Sequence, residues 1–244
     1  ETEFGRKRRI NQNTCNKDYS CLNGFCPSFV TVEDGKPRRP KAAARPDAGG
    51  LPSLPEPQLP AAESAWGIVV AGIGGTGVIT IGQLLGMAAH LEGKGVVTQD
   101  AAGLAQKGGS TWSHIQIADR PEAIHTTKVG TAEADLVIAC DPIVASDRQT
   151  VAVMRRGRTF VALNTHGAPT ASFVRDPNWQ FPSARCEAAI VEAAGPSHVG
   201  AFDAERAAVQ LVGNSIYTNP LMLGFAWQKG LVPLSLASLM RAIE

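Results

Sequence analysis

Three cysteines near the start of the chain are spaced closely enough to act together as ligands. Cys15, Cys21 and Cys26 lie within twelve residues, and Pro27 follows the last of them. Three thiolates at this spacing, closed by a proline, are typical of iron–sulfur cluster ligation. A four-thiolate cluster needs one more ligand, which we expect upstream of Glu1 or in another chain.

Two other states of these thiols stay open. Zinc ligand pairs usually lie two to four residues apart and often include His, which residues 1–35 lack. Disulfide bonds are disfavoured because the number of cysteines is odd and no secretory signal precedes them. The isolated Cys140 and Cys186 are interpreted as core or loop thiols rather than ligands.

A glycine-rich loop offers a second kind of site. The run Gly72-Ile73-Gly74-Gly75-Thr76-Gly77 matches G-x-G-x-x-G between a strand pattern and a helix pattern. Glycines allow close backbone approach, and a helix N-terminus favours anions, so these four glycines are predicted to hold a phosphate group. NAD binding also requires an acidic residue about 20 residues further on, whereas Asp100 comes later than that. Alternatively, the glycines serve strand-to-helix packing or contact another subunit.

A second glycine feature is Gln106-Lys107-Gly108-Gly109-Ser110, in a loop between two strand patterns. Paired glycines expose backbone N–H groups, so Gly108 and Gly109 are candidates for the same binding site. An ordinary turn before the next strand is the alternative.

The elements that must position these residues alternate between strands and helices. This order predicts an α/β fold with a doubly wound, mainly parallel sheet. The predicted strands are Trp66–Ala71, Gly95–Gln99, a half-exposed Thr111–Ala118, Asp135–Cys140, Thr159–Leu163 and a weaker Glu187–Glu192. The predicted helices are Val78–Leu91, Pro142–Arg155, Asp203–Val212, Pro220–Lys229 and Ser235–Ile243.

Composition divides the chain into three parts. Residues 36–65 hold seven of the sixteen prolines and are predicted to be a linker. It separates a small iron–sulfur segment, residues 1–35, from a globular domain, residues 66–244. The first 45 residues carry ten Lys or Arg against five Asp or Glu, although the whole chain has a net charge of +1. We expect a fragment of a longer polypeptide, cut at both ends.

Several partner classes are not expected. No apolar run is long enough for a transmembrane helix, and no secretory signal is present, so a cytoplasmic protein without membrane contact is predicted. The basic run Arg6–Arg9 is short and has few aromatic neighbours, so nucleic-acid binding is not predicted. The five histidines are interpreted as surface or loop residues, with Asn164-Thr165-His166 a weak site candidate at a strand end.

Three stretches of the chain resemble one enzyme family. The stretches GIGGTGVITIGQLLGMAAHLEGKGV, QKGGSTWSHIQIADRP and GNSIYTNPLMLGFAWQKGLVPLSLASLMRAIE resemble the gamma domain of 2-oxoacid:ferredoxin oxidoreductases. The cysteine segment looks like the end of the ferredoxin-type part of fused bacterial indolepyruvate ferredoxin oxidoreductases. One departure is Leu104-Ala105-Gln106-Lys107, where many gamma domains carry Glu-x-Arg; it fits the indolepyruvate branch better than the pyruvate branch.

The resemblance implies oxidative decarboxylation of an aryl 2-oxoacid to an acyl-CoA, with electrons passing through iron–sulfur clusters to ferredoxin. It implies that Cys15, Cys21 and Cys26 hold part of a [4Fe-4S] cluster, and that the glycine loops contact coenzyme A. Thiamine diphosphate would bind to other domains of the same polypeptide or complex, so this chain is not expected to be active alone. A homo-oligomer is expected. The alternatives are a free-standing NAD(P)- or flavin-linked reductase with an iron–sulfur arm, and a non-catalytic binding module with a zinc-stapled arm.

Overall fold

The computed structural model describes residues 3, 5, 33–35, 53–101, 109–168, 170, 172, 175–176 and 178–244. The three amino-terminal cysteines and Gly108 lie outside these residues, so the predictions about them are not addressed by the fold. No helix among the described residues has the length and apolarity needed to cross a membrane.

The described residues form one six-stranded sheet in the order β2-β3-β1-β4-β5-β6. Strands β1, β4, β5 and β6 run parallel, whereas β3 is antiparallel to both of its neighbours. The sheet is therefore mainly parallel, as the alternating pattern predicts. Its strands are β1 (Trp66–Ile73), β2 (Gly95–Asp100), β3 (Ser110–Ala118), β4 (Leu136–Ala139), β5 (Phe160–Asn164) and β6 (Val199–Phe202).

Helices cover both faces of the sheet, which confirms the doubly wound fold. One core contains Ile81, Met222 and Leu239 from helices of the first face, and the other contains Val153 and Ile190 from the second face. The α-helices are α1 (Val78–Leu91), α2 (Pro142–Ala145), α3 (Arg148–Val153), α4 (Ser183–Ala194), α5 (Ala204–Val212), α6 (Thr218–Gln228) and α7 (Leu236–Ile243), and short 3-10 turns span Pro121–Ala123, Pro196–His198 and Ser215–Tyr217.

The prediction of a strand over Glu187–Glu192 is wrong, because these residues lie in helix α4. Cys186, Ile190 and Ala194 are buried in this helix at a spacing of four residues, which is the repeat of one helical face. The short apolar run had suggested a strand, but the last strand is Val199–Phe202, which pairs in parallel with β5.

Two further elements differ from their predictions. Strand β3 is buried over most of its length rather than half-exposed, because it lies between β1 and β2 instead of at an edge. The helix predicted over Pro142–Arg155 is divided into α2 and α3, because the carboxylate of Asp147 accepts a hydrogen bond from the Gln149 N–H and starts a new helix there.

Residues 53–65, the last part of the proline-rich segment, lie against the domain. The Pro55 carbonyl accepts a hydrogen bond from the Gln228 side chain at 2.7 Å, and the Ala62 carbonyl accepts one from the Asp119 N–H at 2.7 Å. Ala62 is fully buried. This part of the segment therefore contributes to the packing of the domain, although composition alone gave it no core contact.

Candidate functional site

The glycine loop lies where the winding of the sheet changes direction. Strand β1 continues into α1 on the first face, whereas its parallel neighbour β4 continues into α2 on the second face. The two chains diverge at the carboxyl ends of β1 and β4, and open α/β sheets bind ligands in the crevice at such a point. The sequence placed the loop after a strand, but only the strand order shows that it borders this crevice.

Gly72 has a packing role inside this loop. A Cβ atom on Gly72 would lie 2.8 Å from Val78 Cγ2 and 2.9 Å from Cys140 Cβ. Real Cβ atoms do not approach other carbons so closely, so glycine is needed for α1 to pack beside β4. This is the packing alternative that the sequence left open, and it accounts for the first glycine without a ligand.

Gly75 and Gly77 have a different role, because their backbones are left-handed. Their φ angles are 87° and 92°, and Gly77 is the N-cap of α1 without any side-chain hydrogen bond. A Cβ atom on Gly77 would meet its nearest described neighbours only at 3.9 Å, so packing does not explain this glycine. Among the described residues no side chain at the N-cap satisfies the first N–H groups of α1, and such groups bind anions in other helices.

The structure brings the two glycine features together. The Gly74 N–H donates a hydrogen bond to the Gly109 carbonyl at 2.7 Å, and Ile73 pairs with Ser110 at the start of β3. Gly108 lies outside the described residues, so its part in the site stays a prediction. The contact of Gly74 with Gly109 makes the two loops neighbours at one edge of the sheet.

Asn219 supports the glycine loop from α6, a role that sequence reasoning missed. Its side-chain N–H donates to the Thr76 carbonyl at 2.9 Å, and the residue is 5% exposed. Asn219 lies in the last of the three stretches that resemble the gamma domain, and its sequence neighbours give no sign of a loop contact. Because 143 residues separate the partners, no local pattern could connect them.

The crevice also contains two buried groups from the end of β4. Burial and the neighbouring Asp141 carboxylate raise the pKa of the Cys140 thiol to about 12, so this thiol is unreactive. Burial likewise raises the pKa of Asp141, although hydrogen bonds from the Val144 and Ile143 N–H groups act in the opposite direction. Asp141 is the N-cap of α2 and holds the chain where it turns onto the second face.

The described residues do not form the acidic ribose contact of an NAD site. Asp100 ends β2, which β3 separates from β1, and its carboxylate accepts a hydrogen bond from the Ser113 hydroxyl at 2.5 Å. In dinucleotide folds the acidic residue follows the strand directly beside the glycine strand. An antiparallel β3 in that place argues against the NAD(P) alternative.

Asn164 and His166, the weak site candidates, make contacts within the protein. The Asn164 side chain donates to the Cys140 carbonyl at 3.0 Å and accepts from the His166 N–H at 3.1 Å and the Ala204 N–H at 3.0 Å. The His166 ring lies 3.5 Å from an Asp203 carboxylate oxygen. Asn164 therefore joins β4, β5 and the start of α5, which is a structural role.

The remaining cysteines and histidines give no metal site among the described residues. Cys140 and Cys186 are buried free thiols, as predicted. Within the part of the chain that the structure describes, no three His, Cys, Asp or Glu side chains are grouped closely enough for a metal ion. His114 is buried in β3, which corrects its interpretation as a surface or loop histidine.

A cleft of about 540 Å³ opens at the other end of the sheet. Its lining includes Glu63, Gly67, Gln116, Glu133 and Arg158. Gly67 belongs to the start of β1, whereas the glycine loop follows its end, so the cleft and the candidate site lie at opposite edges.

Comparison with known proteins identifies the family of this domain. The sequence model of the family described as pyruvate ferredoxin/flavodoxin oxidoreductase matches residues 67–244. Because the match spans nearly three quarters of the sequence, the chain belongs to this family. The resemblance seen in the glycine loops and the final helices is thereby confirmed.

Curated relatives support the same placement. The chain is 32% identical over 179 residues to the indolepyruvate oxidoreductase subunit IorB of Methanothermobacter thermautotrophicus, covering 73% of this chain and 86% of that protein. It is 29% identical over 170 residues to the subunit of the same name from Pyrococcus horikoshii, covering 70% and 80% of the two proteins.

A solved structure shares the fold. The 2-oxoglutarate:ferredoxin oxidoreductase of Magnetococcus marinus, solved with 2-oxoglutarate, coenzyme A and succinyl-CoA bound, aligns with a TM-score of 0.51 at 17% identity. The alignment covers 74% of this chain and 26% of that one. At this identity the comparison supports the fold alone.

Proposed function

We propose that this chain is the gamma-type part of an indolepyruvate:ferredoxin oxidoreductase. The complete enzyme would decarboxylate an aryl 2-oxoacid oxidatively, form an acyl-CoA and pass electrons to ferredoxin. The observation that carries the proposal is the glycine loop at the switch point, in a domain whose family and curated relatives are oxidoreductases of this kind. The aryl substrate is inferred from the names of those relatives.

In this proposal the glycine loop holds the pyrophosphate of coenzyme A. Gly75 and Gly77 offer left-handed backbone, Gly77 also has space around its Cα atom, and Asn219 fixes the loop through the Thr76 carbonyl. Helix α1 contributes the positive end of its dipole to an anion at this position. Gly109, bonded to Gly74, would form the neighbouring wall, with Gly108 beside it.

The cysteine segment would supply the electron path. Cys15, Cys21 and Cys26 are the thiolates proposed to hold a [4Fe-4S] cluster together with a ligand from outside this chain. Thiamine diphosphate, held by other domains of the polypeptide or complex, supplies carbanion stabilisation for the decarboxylation. The proposed protein partners are therefore those domains, ferredoxin and a second copy of the chain. The chain itself is proposed to divide into the iron–sulfur segment 1–35, the linker 36–65 and the domain 66–244.

The glycine assignment is tested by coenzyme A binding to the full chain. We expect Gly77→Ala to weaken binding at least tenfold in isothermal titration calorimetry, because a Cβ would stand where the phosphate approaches and φ would be strained. Gly157→Ala is the matched control: its φ is 77°, and a Cβ there would meet no described atom within 4 Å. Equal affinities of the two variants would contradict the assignment, and saturable NADH binding would support the reductase alternative.

The cysteine assignment needs a separate measurement. Iron and acid-labile sulfide should be found in the complete enzyme purified without oxygen, and Cys21→Ser should lower both. Zinc without sulfide would support the binding-module alternative, whereas unchanged iron and sulfide in the variant would remove Cys21 from the ligand set.

A further inference from the structure

The segment of the chain that precedes β1 makes a close backbone contact with Gly230. This glycine follows α6 with a φ angle of 71°, and a Cβ atom there would lie 2.5 Å from the Gln58 carbonyl oxygen. The backbone of the proline-rich segment therefore passes directly over Gly230. Any side chain at this position would displace that segment.

Three contacts secure this segment along its length. The Gln228 side chain donates to the Pro55 carbonyl, Gly230 accommodates the Gln58 backbone, and the Asp119 N–H donates to the Ala62 carbonyl. Ala62 is fully buried, although its neighbours Ala61 and Glu63 are exposed. We call residues 55–62 the strap.

The strap lies at the amino edge of the sheet. Asp119 follows the end of β3, where that antiparallel strand reaches the start of β2, and Gln228 ends α6. Trp66, which begins β1 four residues after Ala62, donates its indole N–H to the Leu231 carbonyl at 3.0 Å. The glycine loop lies past the other end of β1, about 25 Å away for a strand of this length.

We propose that the strap fixes the point where the cysteine-bearing arm joins the domain, at the edge opposite the glycine loop. The arm preceding Pro55 would then leave the domain beside the end of α6. The parts proposed for electron transfer and for the anionic ligand would be attached to opposite edges of one rigid sheet. The strap itself depends on the described contacts alone; the role of the arm in electron transfer rests on the proposed function.

Gly93 offers a matched control for a test at Gly230. It also follows a helix and has a φ angle of 70°. Its N–H donates a hydrogen bond to the carbonyl three residues earlier at 3.0 Å, and the Gly230 N–H makes the equivalent bond at 2.8 Å. A Cβ atom on Gly93 would meet no described atom within 4 Å. Alanine at either position therefore causes the same backbone strain, but only Gly230→Ala collides with the strap.

Limited proteolysis of the full chain measures strap opening. Elastase cuts after small residues such as Ala61, and its rate follows the open population when opening is fast. We expect Gly230→Ala to raise the rate of cutting at the strap at least tenfold over wild type, and Gly93→Ala to change it less than twofold. Equal rates in the two variants, or rapid cutting of the wild-type strap, would overturn the proposal.

Cross-linking locates the arm. Lys41 lies fourteen residues before Pro55 in the sequence. With an amine-reactive cross-linker, Lys41 should join Lys229 and Lys94 at the amino edge several-fold more often than Lys107, which comes two residues before Gly109 in the sequence. This preference should fall in Gly230→Ala and persist in Gly93→Ala. Equal cross-linking to both edges in wild type would refute the fixed exit point, and because no cofactor is present, that result would leave the proposed function untouched.

Discussion

Protonation of His114 should make the domain lose stability as the pH falls from 7.5 to 5. His114 is 7% exposed in the middle of β3, and the Nδ1 atom of its ring has no hydrogen-bond partner among the described residues. Burial, with a smaller contribution from the positive charge of Lys128, lowers the pKa of His114 to about 4. The folded domain therefore keeps the ring neutral at a pH where the unfolded chain protonates it.

The sign and size of the effect follow from proton linkage. Between the folded pKa of about 4 and the ordinary value of 6.5, the unfolded state binds more protons, so stability decreases as the pH falls through this window. One pKa unit corresponds to about 1.4 kcal/mol, which gives about 3 kcal/mol for the whole window. About 2 kcal/mol of this should be lost between pH 7.5 and pH 5.

The assay is urea unfolding of the full chain followed by tryptophan fluorescence at several pH values. His114→Gln is the informative variant, because it removes the titration while keeping a polar side chain of similar size. Its overall stability can differ from wild type; the quantity compared is the change with pH. The wild-type chain should lose about 2 kcal/mol more than the variant between pH 7.5 and pH 5. Parallel profiles, within about 0.5 kcal/mol, would refute the buried neutral imidazole.

Three further outcomes are expected. Glu92→Gln should lower the free energy of unfolding by about 1–2 kcal/mol in urea at pH 7, because the carboxylate accepts a hydrogen bond from Ser238 at the start of α7. Burial by itself would raise the pKa of Glu92, but hydrogen bonds, first from Ser238, lower it below its usual value, so this contribution should disappear as the pH falls through that lowered pKa. Gly72→Ala should lower the melting temperature by several degrees, since its Cβ would overlap Val78, and an unchanged melting temperature would show that α1 can shift freely. The Cys140 thiol, buried and with its pKa raised to about 12, should resist alkylation at pH 8 in the native chain and react once urea unfolds it, as mass spectrometry would show.

The fold of the domain was largely predictable because its strongest signals are local. The strand–glycine–helix unit around Gly72–Gly77 depends on an apolar run, on glycines that allow left-handed φ and on helical periodicity. All of these act within a few residues. Helix α1 accordingly has the bounds that its pattern predicts. The prediction of a strand over Glu187–Glu192 was wrong because a short apolar run fits a buried strand and one side of a helix equally well. Packing of Ile190 in the core on the second face of the sheet decides between the two.

The candidate site was only partly predictable, because its members meet through tertiary packing. Gly75 and Gly77 could be proposed from a motif, but the crevice beside them exists because β1 and β4 are neighbours whose helices cover opposite faces. Asn219 reaches Thr76 across 143 residues, and nothing in the local sequence marks that contact.

The sequence by itself determined the kinds of element in this protein, the glycine loop and the spacing of its cysteines. These features depend on short-range sterics and side-chain periodicity, which involve only residues close together in the sequence. The tertiary structure decided the order of the strands, the antiparallel β3 beside β1 and the docking of residues 55–62 over Gly230. These features depend on which distant surfaces bury each other best, and that free energy is a property of the whole packed chain rather than of any segment.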